Sequence, residues 1–523
     1  MKSKSTIYQR RKFLGQCAAL PFASLATIDA SCAYGDQADD LQALLQLVPR
    51  MARYYREPVP ASDNAWPMLL KARKVIHLPD ALYEADGETT PWDEALTLRS
   101  FPRSKGGGLL HDVLLKHGDA LRLIDQAAGK TNLQYPEPSG WMTFYSDIDD
   151  IGHPRVCFML KMLRAKLAFH EERYSDAAID LCDLLRLSQM LACGEGFAVH
   201  WLVNCSVRLD VLRNLRRLGA EPDVPSDVIK RALTVLDEVA RRDDGAAQAL
   251  RVEMCGFALP ILMQIPETKD IPKLVRGVMA ATVCYNPPKK ETQAAKNCEQ
   301  YEQAITALLN GHPSAFDRRA TVELAGNITA DAIEQLKRPF LQRKRALHDA
   351  VEKELADWPR PLWLDDSVPA HVTDLGEFTE KLDVPNPVAL AIAREKRRRV
   401  NNPLGKMLAL SNADTYVSLA SCTASARLHA TRLAMAFHLF QRVHKSLPAT
   451  LDVLVESKLL SQIPKDPFDG KPFKYSAKRR VIWCVGQEGK NEGVVPEKED
   501  PEHPFDEDMA LTWRLPRRLA AAS

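Results

Sequence analysis

The five residues His170-Glu171-Glu172-Arg173-Tyr174 come within one substitution of a zinc-hydrolase helix motif. That motif needs two imidazoles one helical turn apart, with a glutamate between them as general base. Tyr174 stands where the second imidazole is required, so it reads as a packing residue at a turn between helices. A second run, Asp147 to Phe158, opens like a calcium loop with Asp147, Asp149 and Gly152. Ile151 and Phe158 then occupy positions that need oxygen ligands, and the pattern fails. Ser104–Gly108 offers backbone amides to an anion but lacks the ordered Gly-x-x-x-x-Gly-Lys spacing, so a flexible loop is expected there. His111-Asp112 is a dipeptide of the kind found in metal-dependent hydrolases, without companion ligands nearby in sequence. No Gly-x-Ser-x-Gly elbow and no Gly-x-Gly-x-x-Gly fingerprint occurs. No catalytic residue and no cofactor-binding residue is therefore assigned from local motifs.

The elements that would position any chemistry belong to a long, ordinary globular chain. Its 523 residues are 46% hydrophobic and 26% charged, a balance that suits packed domains. Seventy basic residues face 68 acidic ones, which argues against a nucleic-acid partner. The N-terminus is basic, then uncharged over Phe13–Ile28, then rich in small residues around Ser31-Cys32-Ala33. This is the grammar of an export signal, shorter than the ~20 residues of a spanning helix. Arg10, Arg11, Phe13 and Leu14 resemble the twin-arginine motif, which an export translocase reads as an address. Residues 1–33 are the expected signal, with cleavage before Tyr34; lipid anchoring at Cys32 is the alternative, although Asp29 stands where an aliphatic residue belongs. The expected location is the periplasm or the cell envelope. Of the 11 cysteines, the closest pair outside the signal is Cys182 and Cys193, so there is no CxxC spacing and no zinc ribbon. Most are expected to be small buried hydrophobes, and no disulfide partners are assigned.

Residues 37–355 read as a helical domain, most clearly over 155–242. Two helices meet at a turn over Glu172–Ser175, where Ser175 is expected to cap the second. A third helix carries Leu202, Cys205, Leu209 and Leu212, and a fourth starts at Pro225-Ser226 with Ile229, Leu233, Leu236 and Ala240 on one face. The first pair resembles one tetratricopeptide hairpin through Ala165, Ala168, Tyr174, Ala177 and Leu181, but no second copy follows at the repeat period. A generic helical hairpin accounts for the same residues. An irregular linker with a basic run is expected over 356–412, followed by a long helix over 413–444 with Ala426, Ala430, Leu433, Phe437 and Phe440 as its apolar stripe.

After that helix the composition changes to Pro, Asp and Gly between aromatic residues. Leu447-Pro448, Leu451, Leu454, Ile463-Pro464, Asp466-Pro467-Phe468, Gly470, Pro472 and Tyr475 are similar to the C-terminal part of G-type pseudopilins of type II secretion. The resemblance implies a long helix, a short helix, a stiff loop and a small β-meander over 413–516. Val481–Val485 and the alternating Met509, Leu511, Trp513 and Leu515 are the predicted strands. The family's calcium loop corresponds here to Glu488, Asn491 and Glu492, with Asp506 and Asp508 further on, so calcium is the one cofactor considered; a solvated acidic loop is the alternative. The whole layout also resembles exported bacterial helical proteins to which the resemblance assigns no activity. The fold expected is mainly α, an irregular bundle or partial solenoid ending in a small α+β lobe. The leading functional expectation is a non-enzymatic envelope protein that binds another macromolecule. The alternatives are an exported hydrolase-like enzyme with a site assembled from distant residues, and a calcium-stabilised component beside a secretion apparatus.

Overall fold

The computed structural model describes residues 46, 48–51, 59–78, 105–135, 144–194, 196, 198–259, 262, 265–282, 314–343, 402–405, 415–491, 493 and 511–515, with scattered positions between 299 and 312. Across these residues the protein is mainly helical, with one small antiparallel sheet near the C-terminus. The helices used below are α1 (Trp66–Val75), α2 (Lys105–Lys116), α3 (Gly118–Ala128), α4 (Phe144–His170), α5 (Tyr174–Ala192), α6 (Ala198–Ala220), α7 (Ser226–Ala240), α8 (Ala246–Glu253), α9 (Ile271–Thr282), α10 (Arg318–Gln335), α11 (Thr415–His444) and α12 (Asp452–Glu456). The strands are β1 (Lys474–Ser476), β2 (Val481–Trp483) and β3 (Thr512–Arg514).

The block α4–α7 is the antiparallel set of hairpins that the short links dictate. Small residues let α4 and α5 approach closely: Ala165, Ala168, Ala177 and Leu181 are all buried at their contact, and Tyr174 packs edge-on against Phe169 at 5.6 Å. On α7, Ile229, Leu233 and Leu236 are buried, each stabilising the fold by about 1.5–3 kcal/mol through removal from water. The hairpin turn departs from expectation. Ser175 does not cap α5, because Glu172 takes a left-handed φ of 59° and the helix already begins at Tyr174. Arg173 holds the turn instead, pairing with Glu171 and Asp176 at 2.6 Å each. The glycine-rich stretch is also helical: α2 starts at Lys105, so three glycines form its first turn. Leu110, Val113 and Leu114 are buried further along the same helix, and their packing outweighs the poor helix propensity of glycine.

A long helix does follow the linker region, but it is enclosed well beyond one stripe. Besides Ala426, Ala430, Leu433, Phe437 and Phe440, the residues Arg427, Thr431, Arg432 and His438 are buried. α6 and α7 cover one side of α11, and the C-terminal lobe covers another. In the lobe the order is β1-β2-β3, with Tyr475 opposite Ile482 and Ile482 opposite Trp513. These three residues face the helix, Tyr475 lying 5.0 Å from Phe437. Strand β1 was not among the strands predicted individually. Its Lys-Tyr-Ser sequence carries little apolar signal, and it is held by pairing to β2 and by the Tyr475 hydroxyl, which donates to Pro448 O at 2.7 Å.

The Asp-Pro-Phe loop closes as its residues dictate. Gly470 has a φ of +77°, and its N–H donates to Asp466 O at 2.8 Å. The buried Asp466 carboxylate accepts from the Phe468 N–H at 2.8 Å and the Val485 N–H at 2.7 Å, joining the loop to the strand end. From outside the lobe, the N–H groups of Phe340 and Leu341 donate to Pro467 O and Phe468 O, both at 3.0 Å. One continuous hydrophobic cluster thus runs from α1 through α4–α7 and α11 into the sheet. A second cluster gathers Trp201 of α6 with α8, the π-helical turn Met254–Ala258, α9 and α10. Of the expected linker, only 402–405 are described. They dock on this second cluster through Asn402, whose side-chain oxygen accepts from Asp317 N at 2.8 Å, and through buried Leu404.

Candidate functional site

The densest group of charged side chains among the described residues lies where α3, α4 and α5 meet. Lys161 and Arg164 are one turn apart on α4, and Asp180 and Asp183 are one turn apart on α5, so each helix presents two groups on one face. Asp125 enters from the C-terminal half of α3. Lys161 is fully buried, and its Nζ lies 2.5 Å from Asp125 Oδ1, 3.0 Å from Asp180 Oδ1 and 3.0 Å from Asp183 Oδ2. Arg164 forks between two of the same carboxylates. Its Nε and Nη2 donate to Asp180 at 2.8 and 2.5 Å, and its Nη1 and Nη2 donate to Asp125 at 2.9 and 2.6 Å. The third aspartate has Arg186 at 3.8 Å, and Arg186 in turn reaches Glu238 of α7 at 3.3 Å. Arg242 closes the outer edge on Glu238 at 2.6 Å.

The electrostatics follow from this geometry. Burial works against the charge on Lys161, but Asp180, Asp183 and Asp125 outweigh it, and the ammonium is held above its ordinary range. Burial likewise pushes Asp125 up, yet the hydrogen bonds from Arg164 and Lys161 prevail and its carboxyl sits below the usual value. Lys161 and Asp125 are therefore both held in their charged forms around neutral pH.

One oxygen from each aspartate lies within 4.8 Å of the others, a spacing that could hold a metal ion. Calcium would need six to eight oxygens, and magnesium a near-octahedral shell at about 2.0–2.1 Å. Here the Lys161 ammonium sits among the three carboxylates as their cation, and Arg164 consumes both oxygens of Asp125 and of Asp180. The donor set does not fit a resident metal. It fits a charge clamp that ties three helices together.

The residues singled out from sequence lie elsewhere. His170 is exposed at the end of α4, and Tyr174 opens α5 as a packing residue. His111 and Asp112 are both exposed on α2. The Asp147–Phe158 run lies within α4, with Phe158 buried, so no loop exists there to wrap an ion. Glu488 is exposed in a turn. Asn491 spends its side chain on the loop itself, donating to Cys484 O at 2.8 Å and accepting from Gly493 N at 2.9 Å. Glu492, Asp506, Asp508, and the signal residues Arg10, Arg11, Phe13, Leu14 and Cys32 lie outside the described residues. The clamp itself was missed. Its signal was present as Lys161 and Arg164 in "FMLKMLRAKLAF" and Asp180 and Asp183 in "IDLCDLL", each pair three residues apart in a largely apolar stretch.

No family model, no curated protein and no solved structure matches the chain.

Proposed function

We propose that this chain is an exported, non-enzymatic helical protein whose surface binds another macromolecule of the cell envelope. The observation that carries this reading is the clamp: among the described residues, the one group of three or more His, Cys or acidic side chains close enough to share a metal ion is spent on Lys161 and Arg164. Other reactive groups are similarly withdrawn. Burial, with Arg432 and Arg442 adding to it, pushes His429 and His438 down to about 3, so both are neutral near pH 7. Burial pushes the thiols of Cys157, Cys182 and Cys255 up to about 12 and that of Cys422 to about 11, which removes their nucleophilic form. Cys157, Cys182, Cys255, Cys422 and Cys484 are free thiols, which suits a protein that folds in a reducing compartment before leaving it by the twin-arginine route. No helix among the described residues is long and apolar enough to cross a membrane. The pseudopilin-like reading of the C-terminal lobe is supported by the succession of long helix, short helix, Asp-Pro-Phe loop and antiparallel sheet.

The test pairs two measurements on the full-length chain. Purified wild type and Lys161→Met are assayed against ester, phosphoester, glycoside and peptide substrates, and the wild type is crosslinked in native envelope fractions. The expected result is no turnover and stoichiometric retention of one envelope macromolecule. Turnover by the wild type overturns the non-enzymatic reading. For the route, residues 1–40 are fused to a folded reporter and Arg10 and Arg11 are changed to Lys. Export should cease; unchanged export rules out the twin-arginine signal.

A further inference from the structure

We draw no further inference here: the strongest candidate, the three-carboxylate cluster of Asp125, Asp180 and Asp183 where α3, α4 and α5 meet, belongs to the site already described, and the Lys161 ammonium among its oxygens leaves nothing pointing to a second ligand.

Discussion

Replacing Lys161 by Met keeps much of the side-chain volume and removes the charge that three aspartates share. Asp180 is only 5% exposed and Asp183 21%, so neither can recover full hydration in place of the lost ammonium. Breaking a buried ion pair by deleting one partner costs about 3–5 kcal/mol, and Lys161→Met should fall in that range. Asp125→Asn should cost much less, about 1 kcal/mol, because its side chain is 39% exposed and water screens the pair. Combining Lys161→Met with Asp180→Asn should recover part of the loss, with a coupling of about 1–3 kcal/mol. The assay is urea unfolding followed by circular dichroism, with peptide-resolved hydrogen exchange over α4 and α5, since a chain of this length need not unfold in one step. The pH profile has a definite sign. Asp125 is depressed in the fold, so its contribution is present above its ordinary value of 3.8 and lost as pH falls through the lower folded value. Lys161 is raised, so its contribution is full below 10.5 and lost as pH rises through the higher folded value. Between these limits neither Asp125 nor Lys161 should add pH dependence. A Lys161→Met cost below about 1 kcal/mol would refute the clamp. So would a rise in melting temperature of the wild type with calcium or magnesium that Asp180→Asn abolishes, because the carboxylates would then be serving an ion.

Three further outcomes are expected. Asp466→Asn cannot accept from both the Phe468 and Val485 N–H groups, so it should cost about 1–3 kcal/mol and speed amide exchange at Val485; unchanged exchange there would show that the loop does not depend on the carboxylate. Native alkylation at pH 8 with peptide mapping should leave Cys157, Cys182, Cys255, Cys422 and Cys484 unmodified, whereas rapid labelling of any of them would contradict their burial. Gly245→Ala places a Cβ 2.0 Å from Ala192 O at a φ of +79°, so it should lower the unfolding midpoint by more than an exposed Gly→Ala change elsewhere, and a neutral result would mean the close approach of that turn to α5 is not needed.

The fold was legible in sequence wherever burial follows one periodicity. Ile229, Leu233 and Leu236 mark the inner face of α7, and Asp469-Gly470 marks the reversal before the sheet. It was less legible where tertiary packing overrode local preference. Gly106, Gly107 and Gly108 argue for a loop, yet α2 begins among them because the residues that follow are buried. On α11 the stripe reading fails for another reason. A helix covered on several sides must bury residues off its apolar face, and those at Arg427, Thr431 and Arg432 are polar. Arg432 is accommodated by Asp237 of α7 at 2.5 Å, a partner 195 residues away in sequence.

The clamp was hidden by the same physics. A buried lysine looks in sequence like a solvated one, because what permits its burial is the placement of carboxylates on other helices. The pairing of Lys161 and Arg164 with Asp180 and Asp183 at matched spacing on two helices of one hairpin was readable in principle. The entry of Asp125 was not, since it depends on how α3 docks across both. A buried cluster of this kind adds little net stability over apolar packing, and its value lies in rejecting other registers of α4 against α5. Sliding α5 by three residues would leave Lys161 with only one of its two α5 carboxylates, the other position passing to Ala177 or Arg186, whereas the leucines and alanines around it could repack. In a hairpin whose contact is otherwise made of interchangeable small and aliphatic residues, the charges are what make one alignment the stable one.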